Sequence, residues 1–323
     1  MRTYALRFDF RNPAMGGTGM ADRYAAALDM AAWADERGFK RVILSEHHGA
    51  EDGFISSPLT MAAAITARTK NLDVQVAAMV SATHNPIRLA EDIAAVDLIS
   101  QGRISVVLAN GYIERELAMF GESLSSRFKR TREMVHFLRR AWTGEEFEWE
   151  GRTVRVTPTP YTPGGPKIVL GGASEPASRR AARLADDFLP STPDCWEFYR
   201  DELIKLGKPD PGPYHGGDVS FFHVSSDPER DWQRIKPYAI HEATEYMRHG
   251  TVAGHPTTPD PEQLRAAGMY TVLPPTDLAK RLSDQGESAW LNFHPMMGGI
   301  PPRLAWESLE LFDREVLPQF PAH

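Results

Sequence analysis

A single cysteine, Cys195, in a chain of 323 residues leaves no partner for an internal disulfide and no thiolate set for a cysteine-rich metal centre. Long apolar runs are missing too: no window reaches the ~18 uninterrupted residues of a membrane span. The opening segment MRTYALRFDF alternates like a strand and lacks the apolar core of a signal peptide. A cytoplasmic protein without membrane contact is expected. There is no basic block, and the net charge is -7, so nothing points to nucleic acid or a polyphosphate partner. Internal repeats and low-complexity tracts are also absent.

The remaining composition, 42% hydrophobic and 24% charged, is that of an ordinary globular enzyme. Strand-like and helix-like stretches alternate, which is the pattern of parallel βα units. TYALRFDF reads as strand one. A helix follows from about Asp22 to Gly38, with Ala26, Met30, Trp33 and Ala34 at helical spacing. RVILS, LDVQVAAMV and ISVVLAN read as strands two to four, separated by helices over Leu59–Thr69 and after Pro86. FKRTREMVHFLRRAW predicts a helix and FEWEGRTVRV an exposed hairpin. KIVLGG, DFLP, DVSFFHVS and AWLNF supply strands five to eight. A doubly wound sheet would call for G-x-G-x-x-G after the first strand, and NPAMGGTGMAD has the wrong spacing. The expectation is therefore one domain over residues 1–323, a (β/α)8 TIM barrel, with an irregular insertion or mobile loop at about 250–275 before the last strand.

Active sites of such barrels lie at the C-terminal strand ends. Strand two ends in Glu46, His47 and His48. Neighbouring residues point to opposite sides, so one histidine faces the mouth at most. Three readings fit the pair: a site, a hydrogen-bonded strand terminus, or a metal centre. Adjacent residues converge poorly on one ion, and no second cluster has ligand spacing, so no metal is expected. Strand three offers two small residues, Ala77 and Ala78, where a planar ring could rest. Strand four ends in Ala109, Asn110, Gly111 and Tyr112, and strand five in Gly171, Gly172, Ala173 and Ser174. The last group is either an anion cradle at a helix N-terminus or a plain turn with a serine cap. His84, His223, His241, Tyr246 and His294 are further candidates for lining a pocket.

Taken together, ADERGFKRVILSEHH, VQVAAMVSATHNPIRLAEDIAAVDLISQGRISVVLANGYIERELAMFG, PKIVLGGASEPASRRAARLADDF and the ending GGIPPRLAWESLELFDREVLPQF closely resemble the luciferase-like flavin-dependent monooxygenase family. Over SEHH, VAAMVSATHNP and RLAEDIAAVDLISQGR the likeness is to the bacterial luciferase α subunit. The resemblance implies an enzyme that takes reduced FMN from a separate flavin reductase, adds O2 at flavin carbon 4a, and oxidises a small organic substrate with the resulting peroxide. It maps the ring-side catalytic histidine to His47, with His48 behind it. It also maps a non-prolyl cis peptide to Ala77 and Ala78, and the phosphate-holding stretch to Gly172, Ala173 and Ser174. A homodimer is implied as well, packed through the second and third helices, where Ala62, Ala63, Ala90 and Ala94 are small.

Two positions depart from luciferase, which has a cysteine and a phosphate-binding arginine where this chain has Ala109 and Asn110. The phosphate then needs another cation, Arg179 or Arg180, or the cofactor differs. One alternative is a hydride-transfer oxidoreductase that uses the deazaflavin coenzyme F-420, since such members also place a glycine and an aromatic at this strand end. The E-H-H motif favours FMN. A non-catalytic flavin-binding protein is the other alternative, against which the retained His47 argues.

Overall fold

Alternation within the strands decides the architecture. In the computed structural model, which describes residues 2–214, 221–248 and 259–322, the first half of the chain repeats strand and helix. The order is β1 (Thr3–Phe8), α1 (Met20–Glu36), β2 (Arg41–Leu44), α2 (Pro58–Arg68), β3 (Asp73–Val80), α3 (Pro86–Ser100) and β4 (Ile104–Ala109). Helices α4 (Glu114–Met119) and α5 (Arg127–Ala141) and the hairpin of β5 (Phe147–Trp149) and β6 (Arg152–Val154) come next. They lead to β7 (Ile168–Gly172), α6 (Glu175–Leu184), β8 (Asp187–Pro190) and α7 (Pro193–Lys205). The chain continues with β9 (Phe221–Val224), α8 (Pro228–Arg248), α9 (Pro261–Ala266), β10 (Tyr270–Leu273), α10 (Pro275–Gln285), β11 (Trp290–Phe293) and α11 (Pro302–Glu315).

Seven strands run parallel in the order β11-β1-β2-β3-β4-β7-β8, while β9 pairs in parallel with β10 and packs against β11. This is the expected α/β barrel. Among the described residues no ladder joins β8 to β9, and residues 215–220 between them, including the start of the expected strand seven, lie outside those described. One face of each strand is apolar and covered by helices. Phe8, Leu44, Val76, Val106 and Ile168 lie in register from strand to strand, and all are buried. The opposite face is partly polar. Arg7, Ile43, Gln75 and Ser105 are in register on it, so the barrel interior at this level departs from the usual filling of branched aliphatic side chains.

Local chemistry sets the helix ends. The Asn85 side chain accepts from the N–H groups of Ile87 and Arg88, and Pro86 pre-sets the first turn of α3. The guanidinium of Arg103 donates to the carbonyls of Thr66, Thr69 and Leu72, which closes the end of α2. At the C-terminus, α11 carries Phe312 into a cluster with Tyr4, Phe39 and Phe293.

Three expectations are corrected. The stretch from 250 to 275 is not irregular throughout: 250–258 lie outside the described residues, but α9 and the whole of β10 follow, because YTVL can extend β9 by pairing in register with Phe221–Val224. The helices α7, α8 and α10 also arise where the sequence reading marked none. α8 even contains Pro237. The third correction concerns small residues: of the four alanines, Ala62, Ala90 and Ala94 are fully buried within the chain and only Ala63 is partly exposed.

Arg23 on α1 is fully buried and donates to the carbonyls of Met296 (2.9 Å), Gly299 (3.2 Å) and Ile300 (3.0 Å), tying the first helix to the loop after β11. Replacing it by Met leaves the Gly299 and Ile300 carbonyls without that donor, while Met296 keeps the Gly299 N–H, at about 1–3 kcal/mol for each orphaned group. Arg23→Met is expected to lower the unfolding free energy by about 3 kcal/mol or more in urea titrations. A loss below ~1 kcal/mol would mean that these carbonyls find other donors.

Candidate active site

The strand ends converge on a cavity of about 610 Å³ at the mouth. β2 delivers Ser45, Glu46 and His47 to it, and the Ser45 hydroxyl donates to the carbonyl of Ala77 at 3.0 Å. Glu46 borders the cavity, yet its carboxylate is committed to protein donors. It accepts from the Val80 N–H at 2.6 Å and from His84 Nε2 at 2.8 Å, and His48 Nε2 lies 3.2 Å away. Burial alone would raise the Glu46 pKa, but the His48 and His84 imidazoles and the Val80 N–H outweigh it and hold the group at about 2.

His47 and His48 part company, as strand geometry requires. His47 lines the cavity, with Nδ1 3.0 Å from Glu116 Oε1, Nε2 3.5 Å from the Tyr112 hydroxyl, and its ring edge-on to Phe54. His48 is absent from the lining and packs against Phe120. Glu116, a buried carboxylate on α4, was missed by the sequence reading. Its signal was faint: a glutamate in the first turn of a helix is ordinary.

β3 and β4 form the floor. The Ala77–Ala78 peptide bond is cis, as the resemblance implied, and the register with β4 slips there, with Ala77 opposite Val107 and Met79 opposite Leu108. Ala77, Ala78, Ala109, Asn110, Gly111 and Tyr112 all line the cavity. Gly111 has φ +78°, and a Cβ there would meet Val80 at 2.8 Å, so this turn depends on glycine. Burial raises the pKa of the Tyr112 hydroxyl, with the charges of Tyr246 and Glu116 adding to it.

Gly171, Gly172, Ala173 and Ser174 line the far side. Ser174 occupies the N-cap position of α6, but its side chain makes no capping bond. The helix starts without it, and the exposed hydroxyl stays available to the cavity. The expected cations behave differently. Arg179 is spent on Glu175 and Glu202, while Arg180 lies over Phe128 at 5.0 Å, where burial and the charge of Arg132 lower its pKa. Arg127 lines the cavity, donates to the Gly111 carbonyl at 3.1 Å and flanks Phe128 at 4.8 Å. A signal for it existed: α5 opens on RFKR, four residues with three cations at the end of a helix where anions are favoured.

Of the other candidates, Tyr246 lines the cavity and its hydroxyl accepts from Arg7 at 3.2 Å. His241 meets Asp52 at 2.8 Å, and His223 is enclosed on β9, where burial pushes it down to about 4. His294 lines a neighbouring cavity of about 580 Å³ inside the barrel, which shares Arg7, Ala77 and Leu189 with the first. Asp9, Glu242 and His294 form a buried group with metal-ligand chemistry. Nε2 of His294 faces Asp9 at 3.3 Å and Nδ1 faces Glu242 at 3.7 Å. Two carboxylates on opposite ring nitrogens suit a salt-bridged histidine better than one shared ion.

The model of the family described as luciferase-like monooxygenase matches residues 5–274. The chain belongs to that family. It is an enzyme of the luciferase-like oxidoreductases, a family that includes both FMN-dependent monooxygenases and F420-dependent dehydrogenases. Among relatives, the alkanal monooxygenase alpha chain of Photorhabdus laumondii subsp. laumondii is 29% identical over 156 residues, 47% of this chain and 44% of that one. The chain thus spans under half the length of that relative. The F420-dependent glucose-6-phosphate dehydrogenase of Nocardia farcinica is 24% identical over 91% of this chain and 94% of its own. Among solved structures, monooxygenase RslO1 from Streptomyces bottropensis superposes with a TM-score of 0.78, at 24% identity, over 98% of this chain and 99% of that chain. The likeness supports the barrel. Among the described residues, no helix is long and apolar enough to cross a membrane.

Glu46 ties stability to acidity. With its pKa at about 2 instead of the ordinary 4.5, its ionised form contributes stability that is present above pH 4.5 and lost as pH falls toward 2. The wild-type protein is expected to lose about 3 kcal/mol more than Glu46→Gln over that interval. Parallel pH-stability curves for the two proteins would contradict this account of Glu46.

Proposed function

We propose that this luciferase-like enzyme is a monooxygenase that uses reduced FMN and O2 to oxidise a small organic substrate. The supporting observation is that one cavity joins the His47 ring, the Ala77–Ala78 floor and the Gly172–Ser174 turn. That arrangement suits a planar ring with a phosphorylated tail. A Cβ at Gly172 would stand 2.7 Å from that of Ala177 and 3.2 Å from the Phe188 ring, so glycine here lets α6 and Phe188 pack close to this turn. In the proposal the backbone of Gly171, Gly172 and Ala173 and the Ser174 hydroxyl bind the phosphate. Arg127, which lines the cavity, and Arg180, whose guanidinium also lies by the Phe128 ring, bring the charge that Arg179 cannot, and among the described residues neither is paired with a carboxylate. Ala77 and Ala78 leave room for the ring, with Ala109, Asn110 and Gly111 along its side. Reduced flavin, when bound, supplies the electrons for oxygen activation. His47 holds or moves a proton at Nε2 beside the substrate, Tyr112 narrows the mouth, and Glu46 and His48 brace the ground beneath them.

A second reading, deazaflavin-dependent hydride transfer, draws on the Nocardia farcinica relative, which aligns over nearly the full chain. In both readings the chain works as one barrel unit. The proposal further has a separate reductase deliver the reduced flavin, and two copies pair through exposed positions such as Leu98 and Ile99 on α3, because the alanines there are spent internally.

The deciding experiment mixes the purified protein with reduced FMN and, separately, with reduced deazaflavin, then follows affinity and oxygen uptake. Tighter binding of reduced FMN with oxygen consumption supports the monooxygenase. Tight binding of deazaflavin with no oxygen uptake would replace it by hydride transfer. Arg127→Ala is expected to weaken FMN by about 1.5–3 kcal/mol, the range for a hydrogen bond to a charged group, and to leave riboflavin, which has no phosphate, unchanged. An equal loss for both ligands would remove Arg127 from the phosphate. For His47→Ala, reduced FMN is expected to bind as before while product formation falls by about 10²- to 10⁴-fold. Unchanged product yield would make His47 structural.

A further inference from the structure

We infer that Glu116 is the positioning residue for His47: its carboxylate fixes the neutral imidazole as the Nδ1–H tautomer, so that a bare Nε2 faces Tyr112 and the cavity. The functional part of this inference rests on the proposed role of His47, whereas the tautomer itself is a property of the unliganded chain.

Three observations lead to it. Both oxygens of Glu116 lie close to His47 Nδ1, at 3.0 and 3.3 Å, and Glu116 is only 3% exposed. Among the described residues, no lysine or arginine lies within ion-pair distance of this carboxylate. An ionised carboxylate only accepts hydrogen bonds, and a buried one without a donor is costly, so the proton belongs on Nδ1. On the opposite side of the ring, the Tyr112 hydroxyl lies 3.5 Å from Nε2 and keeps its proton, since burial raises its pKa. A protonated hydroxyl can donate to Nε2 only if that nitrogen is bare. The hydroxyl can also accept, so Tyr112 fits a bare Nε2 without imposing it, and the Glu116 carboxylate decides the tautomer. The ring is also held in place, edge-on to Phe54 at 4.7 Å, with the His47 N–H donating to the Ile55 carbonyl at 3.1 Å.

The consequence concerns the direction of proton flow. In the resting enzyme Nε2 takes a proton before it can give one. A substrate O–H bond breaks, an Nε2–H bond forms, and the resulting imidazolium lies against Glu116, which stays ionised as the counter-charge. Glu116 touches neither substrate nor cofactor in this account. Its contribution is to keep the accepting nitrogen on the cavity side.

The test uses the full chain without cofactor, labelled with ¹⁵N-histidine, together with Glu116→Gln and Glu116→Asp. Two-bond ¹H–¹⁵N correlation spectra at a pH where His47 is neutral report which nitrogen carries the proton. The expected result is Nδ1–H in the wild type, a change toward Nε2–H in Glu116→Gln, whose amide can donate as well as accept, and recovery of Nδ1–H in Glu116→Asp. In turnover, kcat of Glu116→Gln is expected to fall by about 10- to 1000-fold with KM within a few fold, and Glu116→Asp to regain part of it. A wild-type ring that carries its proton on Nε2, or a tautomer unchanged in Glu116→Gln, overturns the inference. So does a Glu116→Gln enzyme with wild-type kcat. Because the spectra need no cofactor, failure of the monooxygenase reading would leave the tautomer measurement intact and the two outcomes distinguishable.

Discussion

The carboxylate of Glu46 is the constraint on which the mouth of this barrel depends. It gathers partners from three segments of chain: it accepts from the Val80 N–H at the end of β3 and from His84 before α3, and the His48 imidazole beyond β2 lies beside it. A buried charge of this kind is tolerated only when it is fully met, so each donor is fixed by the need to satisfy it. Once Val80 is held, the Ala77–Ala78 floor is held at both ends, because Ser45 bonds the Ala77 carbonyl from the same strand end. His47 is then left pointing into the cavity, since its neighbours on either side are committed elsewhere. The three titratable residues in a row thus divide into one that faces the open space and two that hold its rim.

Beneath the mouth the barrel makes an unusual choice of filling. Arg7 reaches Tyr246 on α8, Asp9 meets His294 and the Gly298 N–H, and Glu242 accepts from Tyr270. These contacts join β1, α8, β10 and the turn after β11 through charge rather than apolar packing. Burial would raise the pKa of Asp9, yet His294 and Arg11 hold it well below the usual carboxylate range. Such a network is directional where an aliphatic core is not, and it specifies how α8, which carries Tyr246 to the cavity, sits on the strands.

Much of this was legible in the sequence. The eight barrel strands could be read because their covered faces are strongly apolar and end in glycine or polar clusters, as in VILSEHH and IVLGG. The separation of His47 from His48 followed from strand parity alone. What escaped was of two kinds. Helices α7, α8 and α10 are rich in charge and, in α8, interrupted by Pro237, so their low apolar content hid them although α8 and α10 each carry an apolar face. Strand β10 needed β9 as a partner, and pairing across that distance leaves no local trace. In the site, Arg127 and Glu116 were invisible as roles because each acts by convergence: one comes from the start of α5 and the other from α4, and only folding brings them to Gly111 and His47.

The slip in register between β3 and β4 makes the site sensitive to arithmetic as well as to chemistry. Up to Ala77 the odd-numbered positions of β3 face the barrel interior, but Ala78 stands opposite no residue of β4, so Met79 turns into the core and Val80 faces the cavity across from Ala109. One surplus residue therefore inverts the parity of everything after it. Removing Ala78 would straighten the ladder and leave Met79 opposite Leu108 and Val80 opposite Ala109, so the floor would lose its surplus residue while the sides of the residues after it stay as they are, whereas swapping one small side chain for another would leave the count intact. The number of residues in the strand, and not only their identity, thus shapes the floor of the cavity.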